Sequence, residues 1–174
     1  MKKSPFKVPT GGPDRFLCAQ KAGPLQKRTT NPLNRKWKKR WFVLDGLNLY
    51  YFAGKHDEEP RGIIELEGLQ VRYATDVVKD KHCFELFVPV EKAEALGAGL
   101  GIRVFKTDPS GEGICCHAEA VSLRLSAEND VDRASWVSLL QQAISGDPYY
   151  EEIVARKKVA KYRDAAAASV PGTQ

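Results

Sequence analysis

Between Arg15 and Leu44 the sequence has no aspartate and no glutamate, yet it carries nine basic residues: Arg15, Lys21, Lys27, Arg28, Arg35, Lys36, Lys38, Lys39 and Arg40. The rest of the 174-residue chain holds 18 basic against 22 acidic residues, so this one segment supplies all of the formal charge of +5. That segregation predicts a local anion-attracting patch and argues against a general polyanion binder. Other absences narrow the class further. The four cysteines, Cys18, Cys83, Cys115 and Cys116, show no CxxC spacing, and no apolar run follows the basic Met1-Lys2-Lys3. A disulfide framework and a zinc ribbon are thereby disfavoured, and reduced thiols in a cytoplasmic protein are expected. In Cys115-Cys116-His117 neighbouring side chains point apart in an extended chain, so no metal is expected there. No apolar run reaches bilayer length, which leaves peripheral contact as the expected route to a membrane. Nucleophile–base pairs, paired carboxylates and a Walker-type loop are also missing; neither catalysis nor a cofactor is expected.

What is present reads as one domain with extensions. Residues 1–20, with Pro5, Pro9, Gly11, Gly12 and Pro13, form an extended leader. Its apolar groups, Phe6, Val8, Phe16 and Leu17, are available to dock on the domain or on a neighbour. Residues 21–146 should form the domain. Seven strands are expected, at about Ala22–Arg28, Trp37–Asp45, Leu47–Ala53, Arg61–Leu66, Gly68–Ala74, His82–Val88 and Ala120–Ala127. Asp45-Gly46 marks a tight hairpin between the second and third. Residues 89–119 form a long insertion with its own hairpin, including a strand at Ile102–Lys106, because a structureless loop of that length is uncommon. The period then changes to a helical one: Trp136, Val137, Leu140, Ala143 and Ile144 share a stripe, with Asn129 or Asp130 as N-cap and Gly146 as the stop. A further basic helix and tail are expected over 147–174, starting at Asp147-Pro148. The predicted class is mainly β with C-terminal α: an antiparallel seven-stranded barrel, one end closed by the helix and the other left for function.

Strand alternation then sorts the basic residues. Lys36, Lys38, Arg40, Phe42 and Leu44 share one face of the second strand, basic at its start and apolar at its end. Lys27 should face them across the sheet, and Tyr50 is read as lying on the same side with a phenol to offer. Converging cations at a rim repel one another unless an anion joins them, and each charge-assisted contact to phosphate contributes about 1.5–3 kcal/mol. Three or four would hold a multiply phosphorylated head group at micromolar concentration or better. A solvated strand edge, with lysines guarding against aggregation, is the competing reading.

Lys27, Trp37-Lys38-Lys39-Arg40-Trp41-Phe42-Val43-Leu44, Leu49-Tyr50-Tyr51-Phe52 and Trp136 together resemble the pleckstrin homology (PH) domain. Ser4-Pro5-Phe6-Lys7-Val8-Pro9, the run Glu59–Glu67, Cys83–Leu86, Phe105-Lys106-Thr107 and Ile144–Tyr150 narrow this to the C-terminal part of cytohesins, Sec7-PH exchange factors for Arf GTPases. The resemblance implies a PH-type barrel that binds phosphatidylinositol 3,4,5-trisphosphate and recruits a cytoplasmic protein peripherally to the plasma membrane. It implies head-group contacts from Lys27, Lys38, Arg40, Tyr50, Arg61 and Lys106, with Arg28, Arg35 and His117 as additional candidates. Exchange activity would belong to a Sec7 domain absent from this chain. Arg156, Lys157, Lys158, Lys161 and Arg163 resemble the family's polybasic tail. Two departures stand out: the first loop is longer and holds Thr29, Thr30, Asn31 and Pro32, and Glu119 and Ala120 fall where the family has an Asn-His pair. The alternative function is an interaction platform for GTP-bound Arf-family GTPases with weak lipid selectivity. A monomer is expected, and nucleic acid is disfavoured as partner by the acidic remainder.

Overall fold

The fold is described from a computed structural model, over residues 12–16, 18–29, 33–74, 81–92, 101–107, 114–118 and 121–146 and the pairs 155–156 and 159–160. Nine antiparallel strands make one sheet: β1 (Lys21–Arg28), β2 (Trp37–Asp45), β3 (Asn48–Phe52), β4 (Gly62–Glu65), β5 (Gln70–Tyr73), β6 (His82–Phe87), β7 (Arg103–Thr107), β8 (Ile114–Ala118) and β9 (Ser122–Ala127). Their order is β5-β6-β9-β1-β2-β3-β4-β7-β8. The seven expected strands are all there, and β7 and β8 form the expected inserted hairpin, which extends the sheet beyond β4. Helix α1 (Asp130–Ser145) follows β9 and packs on β5, β6 and β9.

Local chemistry explains the elements. Asp45 pairs with Asn48, so the β2–β3 turn is the two-residue Gly46-Leu47 with Gly46 at φ 60, one residue later than the composition suggested. That left-handed position favours glycine. In β1, Pro24 breaks no ladder with β9, because that pairing is confined to Gln26 and Lys27. The Asn129 side chain accepts from Asp132 N at 2.8 Å and Gly146 ends α1 in the left-handed region. Such a cap is worth about 1 kcal/mol.

The inner face carries the main core: Leu25, Phe42, Leu44, Leu49, Tyr51, Ile64, Phe84, Leu125 and others close around the fully buried Trp136 of α1. A second cluster lies on the outer face. There Val43, Tyr50, Phe52 and Ile63 are buried, with Trp41, Phe105 and the leader's Phe16 packed against them. Phe16 meets the Tyr50 ring at 4.5 Å between centroids. The leader therefore docks on the sheet through Phe16. Phe6, Val8 and Leu17 lie outside the described residues, as does most of the expected second helix.

No helix among the described residues is long and apolar enough to cross a membrane.

Candidate phosphate-binding site

Register fixes which side chains share the inner face. Lys27 pairs with Lys38 and Leu25 with Arg40 across β1–β2; Phe42 pairs with Tyr51 across β2–β3; Tyr51 pairs with Gly62 across β3–β4. Ile64 pairs with Val104, so two residues along β7 Lys106 returns to the same face, one residue beyond the Ile63–Phe105 pair. Lys27, Lys38, Arg40, Tyr51 and Lys106 thus share one face at one end of the sheet. Deeper on that face, Leu25, Phe42, Leu44 and Ile64 form the apolar floor.

The cations differ in how they are held. The Lys27 ammonium lies 5.4 Å from the Tyr51 ring centroid, and Tyr51 itself stacks on Phe42 at 5.7 Å. A methyl group on Gly62 would overlap the Tyr51 ring, so the missing side chain is what lets the ring lie there. Arg40 donates from Nη1 to the carbonyl of Lys39 at 3.0 Å. Neither Arg40 nor Lys38 forms an ion pair among the described residues, whereas Lys39, on the opposite face, reaches Glu128 at 3.5 Å. Arg61 is exposed just before β4, its backbone tied to Tyr51 by N–H to O at 2.7 Å. The chemistry on offer is a set of ammonium and guanidinium donors beside one phenol, a constellation suited to phosphate oxygens.

Two expected contacts do not belong here. Tyr50 pairs with Val43 and is buried on the outer face against Phe16; Tyr51 holds the position assigned to it. Burial first, and then the Asp45 carboxylate, push the Tyr50 phenol above its ordinary value, as befits a ring embedded in apolar groups. A two-residue turn is what sets this: any even loop places Tyr51, not Tyr50, with Phe42 and Arg40, and only an odd loop would do the reverse. Arg28, one step from Lys27, likewise faces outward, its guanidinium 5.9 Å from the Trp37 ring centroid. Arg35 is exposed in the loop before β2. His117 pairs in backbone register with Val104, and its side chain lies outside the described residues. So do Glu119, Ala120, Lys157, Lys158, Lys161 and Arg163. Arg156 is exposed.

A family model described as PH domain matches residues 19–145. The chain belongs to the PH-domain family. The matched model is that of a non-catalytic module. This PH domain is similar over 91% of its length to cytohesin-2 of Homo sapiens (34% identity over 168 residues), cytohesin-3 of Homo sapiens (33%) and cytohesin-4 of Mus musculus (36%). It spans 38% of the length of these relatives. Among solved structures, the PH domain of ORP8 matches with a TM-score of 0.50 and 23% identity, over 72% of this chain and 96% of that one, a likeness of fold.

Proposed function

We infer that this PH domain is a phosphoinositide receptor that carries its protein to the membrane surface, with phosphatidylinositol 3,4,5-trisphosphate as the preferred lipid. One observation carries the reading: Lys38 and Arg40 project from the same face and end of the sheet as Lys27, Tyr51 and Lys106, with no acidic partner of their own among the described residues. Holding such cations together without an anion costs free energy, and a multiply phosphorylated ring removes that cost while satisfying the donors. Arg61 completes the rim from the β4 side. Similarity to cytohesins supports extending the reading to a larger Arf exchange factor, in which this module supplies the address and another domain the exchange chemistry. Arg156, Lys157, Lys158, Lys161 and Arg163 would add a second, diffuse attraction to the anionic plasma-membrane leaflet.

The test is a titration of the chain with soluble inositol 1,3,4,5-tetrakisphosphate and inositol 1,4,5-trisphosphate, beside sedimentation with vesicles that carry the matching lipids and no GTPase. Tighter binding of the tetrakisphosphate and recruitment by lipid alone are expected. Equal affinity for both would remove the 3-phosphate preference, and recruitment only in the presence of a GTP-bound Arf-family protein would replace the lipid reading with the platform reading.

A further inference from the structure

We propose that the free edge of β5 and the C-terminal half of α1 form a peptide-docking groove. It takes an extended segment of another protein that carries an apolar side chain and, two positions from it, a carboxylate. β5 ends the sheet, with β6 on one side and no strand on the other among the described residues. The Ala74 amide donates to the Cys83 carbonyl, so antiparallel alternation makes Arg72 and Gln70 the next residues bonded to β6. Val71 and Tyr73, on the intervening rungs, turn their N–H and C=O groups away from β6. Neither has another backbone partner among the described residues. Such an edge is a template for one more strand, which selects an occupant with extended backbone.

The opposite wall is α1. The Arg133 guanidinium lies 5.0 Å from the Tyr73 ring centroid, and Val71 and Ile144 are both half-buried against the main core. Toward the end of the helix the two elements part around a cleft of about 500 Å³, lined by Leu69, Val71, Pro89, Lys92, Gln141 and Ile144 among others. Alternate side chains of an added strand would face this cleft beside Val71, and its apolar walls suit one of them. Lys92 is the charged group on the cleft wall. Its ammonium stands 2.8 Å from where a methyl on Gly68 would lie, so the glycine, at φ 77, both makes the turn before β5 and leaves the ammonium its place. Lys92 forms no ion pair among the described residues, and the exposed Glu67 and Glu91 do not line the cleft. The last turn of α1 adds no cation. The preference for a carboxylate therefore rests on Lys92, and reversing that charge should reverse the preference.

The experiment is phage display of random decapeptides against the full chain, with enriched sequences resynthesised as soluble peptides. Enrichment of an apolar residue two positions from aspartate or glutamate is expected, with saturable protection of the Val71 and Tyr73 amides from hydrogen exchange. Lys92→Glu should weaken such a peptide about tenfold and strengthen its counterpart with lysine at the acidic position. Val71→Pro removes an outward N–H and no bond to β6, so it should abolish binding in a folded chain. Should that variant unfold, N-methylated peptides carry the same information: methylation of alternate amides should abolish binding in one register and spare it in the other. Arg40→Ala and saturating inositol 1,3,4,5-tetrakisphosphate should both leave peptide binding unchanged, which separates the groove from the head-group site. Absence of enrichment, enrichment without charge selection, or displacement by the tetrakisphosphate each overturns the groove. Concentration-dependent protection of Val71 and Tyr73 in the chain alone overturns it as well, by giving the edge to a second copy.

Discussion

The two ends of the β1–β2 hairpin treat positive charge in opposite ways. At the helix end, cations are consumed by the fold. Lys21 meets Asp132 at 2.8 Å and Ser135 at 3.0 Å, with its ammonium 5.2 Å from the Trp136 ring centroid. Nearby, Asp130 is held by His82 at 2.9 Å and Arg133 at 2.7 Å. At the other end, among the described residues, Lys38 and Arg40 have no such acids. The same residue types serve stability where a carboxylate meets them, and where none does among the described residues they are the ones proposed to meet a ligand. Charge count alone cannot distinguish the two uses.

The comparison can be broken by substitution. Trp136→Ala at the helix end should cost about 3–5 kcal/mol of folding stability, read from urea unfolding, because the indole fills the centre of the core. At the open end, Arg40→Ala should lose about 2–3 kcal/mol of head-group affinity while leaving the unfolding midpoint unchanged or slightly raised, since a repelling cation is gone. A large stability loss there would mean that Arg40 serves the fold after all. Lys106→Ala should weaken binding by about 1–2 kcal/mol if the inserted hairpin borders the site, and calorimetry would detect it. Tyr51→Phe should cost about 1 kcal/mol of binding and Tyr50→Phe almost none. In an alkaline absorbance titration, Tyr50→Phe should remove a late-titrating phenol. Stability tied to the raised Tyr50 pKa is present below 10.0 and is lost as pH rises through the raised value. The smallest effect belongs to Asp130, whose carboxyl is lowered below 3.8 by its hydrogen bond to His82 and then by Arg133. Its contribution is present above 3.8 and lost as pH falls through the lowered value, so wild type should exceed Asp130→Asn in urea midpoint at neutral pH and match it in strong acid.

Much of this was legible in the residues. Period-2 runs and turn formers place seven strands, the shift to helical spacing places α1 with its cap at Asn129 or Asp130, and alternation within one strand puts Lys38 and Arg40 together. The errors share a cause. Tyr50 and Tyr51 are chemically identical neighbours, and which one faces the cations depends on whether the turn between β2 and β3 is even or odd. Arg28 sits beside Lys27 in the chain, yet one step along a strand is a change of face. The sequence marks Phe16 as one of four leader groups able to dock but not where it docks, and Gly62 does not stand out at all, because what each does depends on a partner 34 residues away for Phe16 at Tyr50 and 11 residues away for Gly62 at Tyr51.

The sequence by itself determined where positive charge accumulates, since no carboxylate interrupts the run from Arg15 to Leu44, and it determined the antiparallel β architecture through local period and turn chemistry. Only the tertiary structure decided how that charge is divided. Register carries Lys27, Lys38 and Arg40 to one face with Tyr51 and Lys106, and Arg28 and Lys39 to the other with Trp37. Pairing across strands is a non-local choice, set by turn length and by burial of one face, and it is there that one basic run is divided between two faces.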